Sequence, residues 1–190
     1  MDNQQETFVK GAIQEGVPLD TAVSIFNTIS AFAGYGFNKS HAAAYALIAY
    51  QTAYLKANYP VEFLAASMTY DMGNTDKLNI FKQELQELGI DLLPPDINKS
   101  GRDFRVESLN NGKLAVRYAL AAIKNVGGPA MSALEEERDR DGEFSSLENF
   151  TSRMDGLVLN RRSLENLVKA GALDKLYSDR ARLFANVDIV

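Results

Sequence analysis

Leu92-Leu93-Pro94-Pro95-Asp96-Ile97 decides how this chain is divided. The paired prolines lack two backbone donors and fix two φ angles, so a helix cannot run through them. Just beyond, two extended runs at 104–107 and 114–118 flank Asn110-Asn111-Gly112, residues that tolerate a tight reversal. That spacing predicts a small β-hairpin. The chain therefore reads as mostly α: a helical subdomain at 1–98, a short β-hairpin connector at 99–118, and a second helical subdomain at 119–190.

Upstream of the prolines the periodicity is helical. Pro18 stands where a helix can open, and Ala22, Ile25, Phe26, Ile29, Phe32 and Ala33 form one apolar stripe, which Gly34 ends. Ser40 is the expected N-cap of the next helix, which carries Leu47, Ile48, Tyr54 and Leu55 until Pro60 opens another. Leu78, Phe81, Leu85 and Leu88 predict a helix over 74–88 closed by Gly89. Downstream, helices are expected at 129–140, at 147–153 behind a capping box of Ser145 and Glu148, at 161–170 closed by Gly171, and at 179–186. Tyr45, Tyr54 and Phe63 read first as helix-packing residues.

With 190 residues, 46% of them apolar, the chain can bury a core as one domain or two small ones. It has no cysteine and no tryptophan, which excludes a disulfide framework, a thiol nucleophile and a thiolate metal site. Residues 1–6 are polar and acidic, and no apolar run approaches the ~20 residues of a membrane span. A cytoplasmic protein without a membrane partner is expected. The formal charge of −5 offers little to a polyanion on average, so nucleic-acid affinity has to come from a local patch.

Three clusters carry candidate chemistry. Gly34-Tyr35-Gly36-Phe37-Asn38-Lys39-Ser40-His41 is a glycine-punctuated turn entering a helix, where free amides and the helix dipole favour an anion and Lys39, Ser40 and the only histidine, His41, add donors. The alternative is an ordinary capped helix-helix connection; the glycine spacing is not that of a Walker loop. Ile123-Lys124-Asn125-Val126-Gly127-Gly128-Pro129-Ala130 resembles a helix-hairpin-helix, in which glycines allow close approach and amides at the second helix face a phosphate. Pro129 removes one such donor, and a purely structural corner is the alternative. Asn160-Arg161-Arg162 opens a helix, where cations oppose the dipole; phosphate, Glu165 or the acidic run Glu135, Glu136 and Glu137 are the possible partners.

The run from Phe32 to Ala42, followed by Tyr45, Ala53-Tyr54-Leu55-Lys56, Tyr59-Pro60 and Glu62-Phe63, resembles the fingers region of the alpha subunits of bacterial DNA polymerase III, the C-family replicative polymerases. The resemblance continues through Leu93-Pro94-Pro95-Asp96-Ile97-Asn98, Ala122 to Gly127, Leu159 to Glu165, and Ala170-Gly171-Ala172-Leu173-Asp174. It is collinear over nearly the whole chain.

That resemblance implies a piece of a DNA-directed DNA polymerase, covering the end of the fingers and the helix-hairpin-helix region. It implies that Asn38, Lys39, Ser40 and His41 help hold the triphosphate of an incoming dNTP, and that Lys124, Val126, Gly127 and Gly128 meet the duplex backbone. The parent reaction is nucleotidyl transfer with magnesium held by palm carboxylates. The palm's Pro-Asp-x-Asp-x-Asp pattern does not occur in this sequence, and Asp71, Asp91 and Asp96 are scattered, as capping and solvating residues are. The isolated chain is thus expected to hold no cofactor and to be inactive. Primer-template DNA and dNTP are the expected partners, with other replicase subunits such as the sliding clamp in the parent. The rival reading is a stand-alone helical DNA-binding or interaction module without a catalytic role.

Overall fold

The computed structural model describes residues 2–33, 38–156, 158 and 160–187. Their order is α1 (Asp2–Gln14), α2 (Leu19–Ala33), α3 (Lys39–Asn58), α4 (Pro60–Tyr70), α5 (Thr75–Glu87), β1 (Leu92–Leu93), β2 (Arg105–Ser108) and β3 (Leu114–Arg117). A 3-10 turn at Leu120–Ala122 leads to α6 (Gly128–Asp141), α7 (Leu147–Arg153), α8 (Arg161–Ala170) and α9 (Arg180–Ala185). The chain is mostly helical, as expected, with one small sheet. It forms two compact units, 1–54 and 55–190, so the expected segment limits at 98 and 118 fall inside the second.

In the first unit α1 meets α2 through Phe8 and Phe26, whose ring centroids lie 5.6 Å apart. Of the apolar stripe on α2, Ala22 is fully buried, whereas Ile25, Ile29 and Phe32 stay exposed. Gly34, Tyr35, Gly36 and Phe37 lie outside the described residues. The cap of α3 differs from the sequence expectation: Asn38 Oδ1 accepts the N–H groups of Ser40 at 2.9 Å and His41 at 3.5 Å. Asn38 is therefore the cap and Ser40 lies within the first turn, because an asparagine two residues earlier competes equally well for those donors. Tyr45 and Tyr54 are exposed rather than packed.

The second unit has two apolar clusters. Val61, Leu64, Ala65 and Met68 of α4 meet Leu78 and Leu85 of α5 and cover Phe104, Val116 and Ala119. Phe63 packs at the edge of this cluster. Pro60 occupies the first helical position of α4, where its missing N–H costs nothing. The other cluster joins Leu120, Ile123 and Val126 to Met131 and Leu134 of α6, Phe150 of α7, and Leu164, Leu167 and Val168 of α8. Gly171 ends α8 in the left-handed region at φ 81°, the expected closure. The capping box of α7 is displaced by one residue: Ser146 accepts the Asn149 N–H, and Asn149 Oδ1 accepts the Ser145 N–H.

The sheet has the order β1-β3-β2. β2 and β3 form the expected antiparallel hairpin, with Val106 opposite Val116, and Gly112 turns the loop at φ 78°. β1 is an addition, pairing parallel to β3 with Leu92 opposite Val116. One arginine stitches the three strands. Arg117 holds Glu107 through two bonds of 2.7 Å and donates to the Pro94 carbonyl at 2.8 Å. Pro95 leads into a second fixed turn, in which Asp96 Oδ1 accepts the Asn98 N–H at 2.8 Å and Asn98 exchanges two bonds with the Phe144 backbone.

The Arg117 hydrogen bonds hold the Glu107 carboxyl below its ordinary pKa of 4.5. A carboxylate lowered on folding stabilises fully above its unfolded pKa and loses that contribution as pH falls through the folded value. Urea unfolding from about pH 6 down to about pH 3 should show a steeper loss of stability for the unaltered chain than for Glu107→Gln. Equal slopes would remove this pair from the acid sensitivity of the fold.

Candidate nucleic-acid interface

The hairpin at 123–127 is built from two buried feet and an exposed tip. Ile123 and Val126 are buried in the core, and the Val126 N–H closes the turn on the Ile123 carbonyl at 3.0 Å. Lys124 and Asn125 stand at the exposed tip. Asn125 has φ 64°, the only positive value among the described non-glycine residues, which is the pattern of a type II turn and suits asparagine. Its side chain is fixed from outside the hairpin: Arg162, in the first turn of α8, donates to Asn125 Oδ1 at 2.6 Å.

Beyond the tip, Gly127 precedes α6 and Gly128 begins it. The first amides of a helix have no intrahelical acceptor, and here the Gly127 and Gly128 N–H groups have no partner among the described residues. Pro129 falls in the same first turn, so its missing donor breaks no bond of the helix. Gly127 has φ −80°, a conformation open to any residue, and a Cβ placed there meets nothing within 4 Å. A Cβ on Gly128 would make only ordinary contact with Arg102 at 3.4 Å. Of the four expected backbone-binding residues, Lys124, Gly127 and Gly128 thus face outward, while the buried Val126 side chain anchors the turn.

Two of the three carboxylates of the acidic run beside the hairpin are held in local ion pairs. Glu135 bonds the Arg102 N–H at 2.8 Å and the Arg105 guanidinium. Burial pushes the Glu135 carboxyl up, and these donors more than reverse it, leaving it below the ordinary range. Glu137 is buried and pairs with Arg140 and with Arg153, the latter at 3.2 Å. Glu136 alone of the three is exposed. Arg161 takes one of the partners expected for it, Glu165 at 2.8 Å, and Asn160 caps α8 by accepting the Ser163 N–H.

The second candidate segment belongs to the other unit. Lys39, Ser40 and His41 are exposed on the first turn of α3, and the His41 and Tyr45 ring centroids are 4.3 Å apart. The Asn38 side chain occupies the Ser40 and His41 amides, so an anion there meets a capped helix end and the Lys39 ammonium. Among the described residues no group of three or more His, Cys, Asp or Glu side chains converges on one point, so they do not fit a paired-cation centre. No helix among them is long and apolar enough to cross a membrane.

Comparison with known proteins agrees with the hairpin geometry. The helix-hairpin-helix motif family matches residues 89–183, half of the chain. The chain belongs to the helix-hairpin-helix family. It is also 50% identical over 190 residues to the DNA polymerase III subunit alpha of Caulobacter vibrioides, and 49% identical over 188 residues to that of Thermus aquaticus. The subunit of Borreliella burgdorferi is 46% identical over 188 residues. These alignments cover 99–100% of the chain, which spans 15–16% of each relative. The resemblance to polymerase III alpha subunits read from the sequence is borne out over its whole length.

Proposed function

We propose that this chain is a segment of a replicative DNA-directed DNA polymerase, in which the helix-hairpin-helix grips duplex backbone without reading sequence and the start of α3 helps hold the dNTP triphosphate. Gly127 carries the reading. Neither its φ nor its packing calls for glycine, so the missing side chain serves an approach from outside, and the unpaired Gly127 and Gly128 amides suit a phosphate oxygen. Lys124 adds a cation at the tip, and nothing in the turn is shaped to read base edges. The relatives' name supplies the polymerase context; primer-template DNA and dNTP are the corresponding partners, with other replicase subunits such as the clamp.

At the α3 end the Lys39 charge favours the triphosphate, with Asn38, Ser40 and His41 shaping the helix entrance. In that polymerase reaction magnesium would be held by carboxylates other than the described ones. A stand-alone backbone-binding module has no use for the α3 segment, which is why the polymerase reading is preferred.

Titration of fluorescent duplexes of unrelated sequence at several salt concentrations tests the grip. Binding should be weak and indifferent to sequence, and Lys124→Ala should lower the salt slope by about 0.9, one phosphate's worth. Gly127→Val should abolish binding at unchanged thermal stability. Strong preference for one sequence, or affinity indifferent to both substitutions, would leave the hairpin a structural corner.

For the nucleotide role, Lys39→Ala in a polymerase carrying this segment should lower kcat/KM for dNTP about tenfold, as loss of a charged hydrogen bond implies. Unchanged nucleotide kinetics would remove the role. The isolated chain, given magnesium, primer-template and all four nucleotides, should extend nothing; template-dependent synthesis would overturn the reading as a segment.

A further inference from the structure

Arg162 is a cation that reaches the hairpin tip and that the function above leaves unused. Two facts about it sit awkwardly with a purely structural role. It opens α8, where a positive charge opposes the helix dipole and works against folding. It also lacks a carboxylate partner among the described residues, whereas Arg105, Arg117, Arg140, Arg153, Arg161 and Arg180 each hold one. Its charge is left uncompensated at the surface.

Its direction is nevertheless fixed. The neighbouring Arg161 turns along its own helix to Glu165, but Arg162 turns to the hairpin and gives one N–H of Nη2 to Asn125 Oδ1 at 2.6 Å. A guanidinium has five N–H donors in a planar fork, so four remain. Asn125 is the left-handed residue at the tip and adjoins Lys124, which likewise has no partner among the described residues. One hydrogen bond thus brings a second uncompensated cation to the tip.

We propose that Arg162 is a second phosphate-binding residue of the hairpin interface, aimed by Asn125, so that one duplex backbone meets Lys124 and Arg162 together. The proposal rests on the backbone-gripping role of the hairpin. Arginine suits the task because its fork can keep Asn125 on one edge and present paired donors to phosphate oxygens on another. The left-handed turn thereby acquires a purpose beyond reversing the chain, since it places the asparagine oxygen where α8 can reach it.

The full chain and four variants decide it by duplex titration against salt, each with a thermal unfolding curve. Arg162→Gln should lower affinity about tenfold and the salt slope by about one unit, while thermal stability stays level or rises because a charge opposing the dipole is gone. Arg162→Lys should keep the slope and lose part of the affinity. Asn125→Gly, which keeps the left-handed turn and removes the acceptor, should keep the slope and weaken binding less than Arg162→Gln does. Lys124→Ala is the control for the hairpin itself. If Lys124→Ala lowers the slope and Arg162→Gln leaves it unchanged, the hairpin grips DNA and Arg162 has no part in it, which overturns this proposal alone. If the unaltered chain shows no salt-dependent duplex binding, both readings fall. If Arg162→Gln loses affinity only in step with lost thermal stability, at an unchanged slope, its role is structural and the proposal is wrong.

Discussion

A helix cannot bond its own first amides, and the candidate interface follows from how the surrounding chain leaves those of α6 uncovered. Gly127 has an unstrained φ and no side chain to shield its N–H, and Gly128 follows it into the first turn. At α3 the same problem is solved the opposite way, by the Asn38 side chain folding back over two amides. The uncapped start of α6 leaves backbone donors free for an anion, whereas at the capped start of α3 an anion would depend on the Lys39 side chain. Ile123 and Val126 make the arrangement rigid, since burying both feet fixes the tip between them outward.

Electrostatics near the hairpin are set by buried pairing rather than by composition. The chain carries a net charge of −5, and the acidic run lies close by in sequence. Yet Glu135 is turned to Arg102 and Arg105, and Glu137 is buried against Arg140 and Arg153. Glu137 and Arg153 are both largely buried, and removing one partner of a buried pair costs about 3–5 kcal/mol, so Glu137 is held inward strongly. Arg138 completes the wall by donating to the Ile97 and Ser100 carbonyls, which ties the loop after the prolines to α6. A polyanion approaching the tip therefore meets Lys124 and Arg162 with much of the nearby negative charge already neutralised.

Much of this was legible in the sequence wherever a local rule decides. Pro60, Gly89, Gly112 and Gly171 each stand at a boundary because proline tolerates a helix start and glycine a positive φ. The hairpin was legible from its glycines, but not the left-handed turn residue, which is Asn125. Caps were misplaced by two residues at Asn38 and by one at Ser146, where a second good capping residue lies close in sequence. What the sequence hid is what depends on distant partners. β1 is two residues long and exists only through pairing with β3. The inward turn of Glu137 needs Arg153, sixteen positions away, and the aim of Arg162 needs Asn125, thirty-seven positions away. No helical or strand period encodes such contacts.

The central claim is that the hairpin amides receive a phosphate. Backbone amide NMR of the labelled chain, titrated with a short duplex at low salt, reads those amides directly. The account predicts saturable shifts concentrated at Lys124, Asn125, Gly127 and Gly128 that reverse when salt is raised. Shifts confined to other surfaces, with the Gly127 and Gly128 amides unmoved at saturation, would contradict it.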